Sequence, residues 1–358
     1  MRIAVLGVGL IGGSIGLAAR ARLDAEVTGF DPDRTRADLA LELGAIDSAP
    51  PTLHEAVEGA EIVFCAAPVM TLPGLAAEAL DAAGEDCAVT DVGSVKRDVI
   101  AALGSQERFI GGHPLAGAET SGVENANADL FAGARWYLTP TQTTGGVLYD
   151  RVQRAIADLG ARPQAIEAET HDRLMATTSH LPHVVANVLV TQAATALSEE
   201  AENLPEVGPS FRDATRVAGA NPAIWGDIFA GNREAVAAEI DAAIARLAEA
   251  AELLRSGGRD AVTAWHEQAG QHRRELIETE IAGGPLHELR VRVPNRPGIV
   301  AEVALELGRA GVNIEDMALY PSADMTSGAI SLYIAGDEAA ERAERLVRDL
   351  GHDVSRPE

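Results

Sequence analysis

In the first half of the chain, apolar residues come in short unbroken runs. Between the runs lie longer stretches where apolar residues recur every three or four positions. Arg2–Leu6, Glu26–Phe30, Glu61–Ala66 and Cys87–Asp91 are short apolar runs, and they read as strands buried on both faces of a parallel sheet. Ile11–Arg20, Arg34–Leu43, Leu53–Glu58 and Met70–Ala83 read as the helices between them. Alternation of this kind predicts an α/β, doubly wound parallel sheet over residues 1–166.

The pattern changes near Glu167. Asp172–Glu202 is a long, Ala-rich apolar stretch that only Pro182 interrupts, and Phe211–Ala218, Pro222–Gly231, Arg233–Arg255 and Arg259–Ala282 continue the helical period. Residues 167–282 are therefore expected to form an all-α domain. Its apolar helical faces exceed what so small a domain covers by itself, which predicts a homodimer. Gly283-Gly284-Pro285 then punctuates the chain. Leu289–Val293, Val312–Tyr320, Ala329–Ala335 and His352–Ser355 read as strands, and Gly298–Ala310 and Glu338–Leu350 as helices. That βαββαβ order is the ferredoxin-like split βαβ, spanning 286–358.

Composition narrows the partners. The chain has 358 residues and a net charge of −25 from 54 acids and 29 bases. Such an excess of acid opposes binding to nucleic acid or to an anionic membrane. No apolar run is long enough to span a bilayer, and the glycine-broken N-terminus lacks a signal-peptide layout, so a cytoplasmic protein is expected. Cys65 and Cys87 stand apart from any CxxC pair, which points to buried free thiols.

Candidate chemistry begins at the first strand–helix junction. Gly7-Val8-Gly9-Leu10-Ile11-Gly12 is a GxGxxG turn between a strand and a helix. The first glycine permits the turn, the second lets a pyrophosphate approach, and the third packs helix on strand. Free N–H groups of the helix start, from Leu10 and Ile11 onward, face the phosphates. Asp31 ends the second strand 19 residues after Gly12, where a carboxylate accepts from a ribose 2′-hydroxyl and repels a 2′-phosphate. NAD is thus the expected cofactor. Arg34 leaves the 2′-phosphate alternative open.

Three further segments, the last of them split in two, are polar against an alanine-rich background. Asp91–Lys96 follows a sheet strand. Ser94 reads equally as a cap for a helix over Val95–Leu103 or as a site hydroxyl. Lys96 is the only lysine in the chain. The glycine-rich Gly111–Gly122 predicts a loop, in which His113 is suited to general-base work, although a lone histidine is more often structural. Ser179-His180-Leu181-Pro182-His183 places Ser179 and His183 on one helix face. Arg212 and Arg216 share a face of the following helix. They suit carboxylates, or else pair with acids such as Asp213 or Asp227. His171, His180 and His183 admit a metal reading that no HExxH spacing supports, so no metal is expected.

With these motifs in hand, the chain resembles the prephenate dehydrogenase family, in the form that carries a C-terminal ACT domain. GVGLIGGS, DVGSVK, GGHPLAGAETSG, SHLPH and FRDATRVAGANPAIWGDIF carry the resemblance in order along essentially the whole length. It implies NAD-dependent oxidative decarboxylation of prephenate to 4-hydroxyphenylpyruvate, a step of tyrosine biosynthesis. His113 would be the base, and Ser94 would position His113 and the substrate hydroxyl. Arg216 would anchor the ring carboxylate, with Ser179 and His183 at the pyruvyl end, while Glu119 and Arg212 complete the substrate site. Arginine at 212 keeps the charge of the lysine in some relatives but not its geometry.

The ACT pattern lies in VPNRPGIV and GVNI. It implies an amino-acid site at Asn295, Pro297, Gly298, Asn313 and Ile314, with tyrosine as the effector; a module serving only dimerisation is the alternative. Arogenate is the competing substrate, and its ammonium suits a carboxylate rather than His183 and arginines. A non-catalytic amino-acid sensor with a vestigial nucleotide fold is the non-enzymatic alternative.

Overall fold

The computed structural model describes residues 1–117, 120–198, 207–280, 285–294, 316–322 and 327–357, and between these 299, 302–303, 306–307, 310, 312 and 314. It contains two compact units, Met1–Arg246 and Leu247–Glu358.

The first unit is built on a seven-stranded sheet of order β2-β1-β3-β4-β5-β6-β7. Its strands are β1 (Arg2–Leu6), β2 (Glu26–Phe30), β3 (Ile62–Cys65), β4 (Ala88–Asp91), β5 (Phe109–Pro114), β6 (Arg135–Thr139) and β7 (Arg162–Ala165). The first five are parallel, as the apolar runs predict. β6 runs antiparallel to β5, and β7 parallel to β6. Alternation along β1 divides the core in two. Ile3 and Val5 join the layer under α1 (Leu10–Leu23) and α6 (Gly146–Asp158), whereas Ala4 and Leu6 join the layer under α3 (Leu53–Val57) and α4 (Leu72–Ala82). Cys65 and Cys87 are buried, unpaired thiols within the second layer. α2 (Arg34–Glu42) and α5 (Arg97–Leu103) complete the sheet's helices.

Two local expectations are corrected. The segment from Gly111 is not all loop, because Gly111–Pro114 extends β5, with Gly111 opposite Thr139 and His113 opposite Tyr137. The glycines belong there because of close packing. A Cβ on Gly111 would meet Thr139 Oγ1 at 2.3 Å, and one on Gly112 would meet the Asp91 carbonyl at 2.6 Å. Nor does Ser94 cap a helix at Val95. The helix begins at Arg97 and is capped from a distance by Asp172, whose two carboxylate oxygens accept from the N–H groups of Lys96 and Arg97, each at 2.8 Å.

Helices follow the sheet. α7 (Ala168–Met175) runs through a π turn at Ala176–His180 into α8 (Leu181–Ser198). Pro182 has no N–H for the helical ladder, and the wide turn before it lets Leu181 N–H reach back to the Ala176 carbonyl. The expected interruption is therefore a local widening of a continuous helix. α9 (Pro209–Thr215), a 3₁₀ turn at Arg216–Gly219, α10 (Pro222–Gly231) and α11 (Arg233–Ser256) follow.

The second unit contains α12 (Arg259–Glu280) and a four-stranded antiparallel sheet of order β11-β8-β10-β9. Its strands are β8 (Leu286–Pro294), β9 (Asp316–Pro321), β10 (Ser327–Ala335) and β11 (Asp353–Ser355), with α13 (Asp337–Asp349) between the last two. Leu289, Val291, Ile330 and Leu332 of the sheet bury against Ala340, Ala343 and Val347 of α13. β9 starts at Asp316 rather than Val312, and most of the helix expected at Gly298–Ala310 lies outside the described residues.

Candidate active site

The carboxyl ends of the parallel strands carry the site. Strand order reverses between β1 and β3, the switch point where open α/β sheets bind ligands. Gly7 turns out of β1 with φ 97°, and a Cβ there would lie 2.2 Å from the Ala66 carbonyl. A Cβ on Gly12 would lie 1.9 Å from the Gly7 carbonyl, so both positions require glycine for packing. Gly9 differs, because a Cβ there would meet nothing within 4 Å. The space above Gly9 suits a pyrophosphate, and no acid occupies the first turn of α1 to repel one. Leu10 and Ile11 open that helix.

Asp31 is buried at the end of β2. One carboxylate oxygen accepts from Val8 N–H at 3.1 Å and the other from Asp33 N–H at 2.9 Å, which orients the group toward the glycine turn. Arg34 is engaged elsewhere: its guanidinium donates to the carbonyls of Ala49 at 2.6 Å and Pro50 at 3.2 Å, and pairs with Asp38.

Asp91 at the end of β4 and Lys96 at the start of α5 form a fully buried ion pair. Lys96 Nζ also donates to the Gly112 carbonyl at 2.8 Å, while Asp91 accepts from Gly112 N–H at 3.1 Å and Gly93 N–H at 2.8 Å. Burial pushes the Lys96 pKa down, against the opposing pull of Asp91. The pair clamps the strand that carries His113.

His113 is half-buried, and its Nδ1 lies 2.8 Å from His171 Nε2. His171 is fully buried, and its Nδ1 lies 2.8 Å from Asp172 Oδ1. Burial lowers the His113 pKa well below the usual 6.5, and the neighbouring His171, Lys96 and His180 lower it further. His113 is therefore a neutral imidazole at neutral pH, the form a general base needs. Among the described residues, Ser94 makes no hydrogen bond to His113.

The π turn aims the next group. His183 Nδ1 donates to the Ser179 carbonyl at 3.0 Å, and the ring stacks on Trp225 with centroids 3.4 Å apart and planes at 25°. Burial lowers the His183 pKa, the Ser179 carbonyl opposes this, and the nearby Arg216 charge adds to the lowering. Ser179, His183 and Arg216 thus come together, and Trp225 joins them. Arg212 is exposed on α9, and among the described residues no contact ties it to that cluster. His180 faces inward, as its helical offset predicts. Asn232 Nδ2 lies 3.2 Å from its Nδ1, and burial lowers its pKa to about 4. Glu119, Asn295, Pro297, Gly298 and Asn313 lie outside the described residues, and Ile314 is half-buried against the core of the second unit. Among the described residues no group of three or more His, Cys, Asp or Glu is placed to hold a metal ion.

Sequence reasoning passed over His171 except as a metal ligand, and it passed over Asp172, Trp225 and Asn232 altogether. His171 lies 58 positions from His113, and Asn232 lies 60 from Asp172 and 52 from His180, so local spacing carried no signal.

A glycine turn shaped for a pyrophosphate, an acid at the ribose position and a neutral histidine on a neighbouring strand end together define an NAD-dependent dehydrogenase. Comparison with known proteins narrows this class. Residues 15–165 match the family model "Prephenate dehydrogenase, nucleotide-binding domain", 167–268 match "Prephenate dehydrogenase, dimerization domain", and 287–352 match the ACT domain. Prephenate dehydrogenase of Bacillus subtilis is 30% identical over 357 residues, covering 96% of this chain and 95% of that protein. The chain belongs to the prephenate dehydrogenase family.

Among solved structures, prephenate dehydrogenase of Aquifex aeolicus in complex with hydroxyphenyl propionate and NAD+ is similar. It is 30% identical with a TM-score of 0.73, over 77% of this chain and 98% of that one. Synechocystis arogenate dehydrogenase is 27% identical with a TM-score of 0.69, over 77% and 100%. No described helix is long and apolar enough to cross a membrane.

Proposed function

We propose that the protein catalyses oxidative decarboxylation of prephenate to 4-hydroxyphenylpyruvate. The observation that carries this reading is the neutral, half-buried His113 at a strand end, in the same unit as the Ser179–His183–Arg216 cluster. NAD, when bound, supplies the hydride acceptor. Gly7, Gly9, Leu10, Ile11 and Gly12 cradle its phosphates and Asp31 its ribose. Arg34, tied to the Ala49 and Pro50 carbonyls, is withdrawn from a 2′-phosphate, which supports NAD over NADP.

His113 accepts the ring hydroxyl proton as hydride leaves the same carbon. Arg216 holds the ring carboxylate until it departs as CO2, and aromatisation drives the step. Ser179 and His183 hold the pyruvyl end, where the Ser179 carbonyl fixes the proton on His183 Nδ1 and leaves Nε2 to meet the substrate. Ser94 orients the substrate hydroxyl, and Arg212 and Glu119 line the approach. Residues 1–166, 167–282 and 286–358 divide cofactor binding, substrate binding with dimerisation, and regulation. The exposed Val185, Val188, Leu189 and Val190 of α8 support a homodimer, since a monomer would leave this apolar stripe in water. Tyrosine is the expected effector of the ACT domain.

The test compares kcat/KM for prephenate and arogenate with NAD, with and without tyrosine. The reading expects prephenate to be preferred and tyrosine to inhibit. Preference for arogenate overturns the substrate assignment, and indifference to tyrosine overturns the effector assignment.

A further inference from the structure

His171 and Asp172 are buried polar residues for which the reaction described above has no use. His171 is 0% exposed and Asp172 is 3% exposed. Burying two such groups is costly unless each is fully partnered, and here each is. Asp172 accepts from Lys96 N–H, Arg97 N–H and His171 Nδ1, and its carbonyl accepts from Asn232 Nδ2 at 2.7 Å. The carboxylate is thus fixed by the start of α5, and the backbone of the same residue by the α10–α11 junction. His171 meets the edges of two rings, Tyr137 on β6 with centroids 5.6 Å apart and His113 at 5.1 Å, so it cannot rotate freely.

The order of donors follows from Asp172. An ionised carboxylate only accepts, so His171 Nδ1 carries a proton and donates it. A neutral His171 then has a bare Nε2, which accepts. His113 must therefore carry its proton on Nδ1, and its Nε2 is bare. Neutral histidine in water favours the opposite tautomer, with the proton on Nε2, which cannot act as a base at that atom.

We propose that His171 and Asp172 are positioning residues that hold His113 in the Nδ1–H tautomer, with Nε2 bare toward the substrate hydroxyl, and that they steady its imidazolium while it holds the proton. This rests on the reading of His113 as the base. The proton balance is consistent with it. Loss of hydride to NAD and of CO2 from the prephenate dianion leaves a monoanion that still contains the hydroxyl proton. His113 therefore borrows the proton through Nε2 and returns it to the phenolate oxygen as the ring becomes aromatic. No exit to solvent is needed, and the buried end of the network provides none. The charged and titratable groups around His113 are His171 and Asp172 from α7, Lys96 and Asp91 at the ends of β4 and α5, His180 in the π turn, and Tyr137 on β6.

The test has two arms on the full chain. In the first, ¹⁵N-histidine NMR of the wild type at neutral pH reads the tautomer, with His113 assigned by its absence in His113→Asn. A protonated Nδ1 and bare Nε2 are expected; a protonated Nε2 overturns the proposal without any change to His171 or Asp172. In the second, His171→Phe removes the acceptor and His171→Gln restores one through its amide oxygen. His171→Phe is expected to lower kcat on the order of 10²- to 10⁴-fold, the range for a base in the wrong tautomer, with KM nearly unchanged. His171→Gln is expected to recover most of that loss. An unchanged kcat in His171→Phe, or equal losses in both variants, overturns the proposal. Failure of the underlying reading is distinct, because His113→Asn would then keep its turnover whatever tautomer the wild type shows.

Discussion

A protein with 28 arginines and one lysine has a use for that lysine that arginine does not meet, and the structure locates it. Lys96 is fully buried, paired with Asp91 and bonded to the Gly112 carbonyl. Lys96→Met would leave the Asp91 carboxylate buried with only the N–H groups of Gly93 and Gly112. Breaking a buried pair from one side costs about 3–5 kcal/mol. For a unit of this size that lowers Tm by roughly 6–20 °C, at about 2–4 °C per kcal/mol.

Lys96→Arg keeps the charge but does not fit. Nζ has two described acceptors, the walls leave no exposed surface, and a guanidinium brings five donors. Overpacking adds about 1–3 kcal/mol, so this variant also melts below the wild type. The assay is thermal unfolding by circular dichroism at neutral pH, with and without NAD. The transition that NAD raises is that of the cofactor-binding unit. A Lys96→Arg protein that melts with the wild type would refute the argument.

Other expectations follow from the same geometry. Gly9→Val fills open space, so it should leave Tm unchanged and raise KM for NAD, whereas Gly12→Ala drives a Cβ into backbone and should lower Tm; a matched pair of effects would contradict the roles assigned to the two glycines. Burial holds the His113 pKa well below 6.5, so the active neutral form is lost only as pH falls through that lowered value. The kcat/KM profile should stay flat through neutrality and descend on the acid side below pH 6.5, and a descent centred at or above 6.5 would refute the burial argument. Arg216→Ala removes a charged hydrogen-bond donor worth about 1.5–3 kcal/mol and should raise KM for prephenate about 10- to 100-fold, as steady-state kinetics would report.

Much of this architecture was legible in the sequence, and the exceptions share a cause. Short apolar runs marked β1 to β4, because strands buried on both faces need little else. The glycine turn was legible because its chemistry is local. β5 was not, since Gly111 and Gly112 look like loop residues until Asp91, Thr139 and Trp136 are seen crowding them. Ser94 read equally as a helix cap or a site hydroxyl, yet the cap is Asp172, from 75 and 76 positions away. His171 and Asp172 stood in plain view at the start of a helix, but their meaning lies in His113 and Lys96. Contacts between residues far apart in the chain decide this site, and no periodicity encodes them. The lone lysine was a compositional signal of such a contact.

The central claim is that this chain oxidises prephenate with His113 as the base. The most direct measurement is absorbance at the NADH band after mixing the protein with NAD and prephenate, for the wild type and for His113→Asn. The account predicts prompt NADH formation by the wild type, and a fall in rate on the order of 10²- to 10⁴-fold in the variant, with its Tm unchanged. No NADH from the wild type, or equal rates from the two proteins, would contradict it.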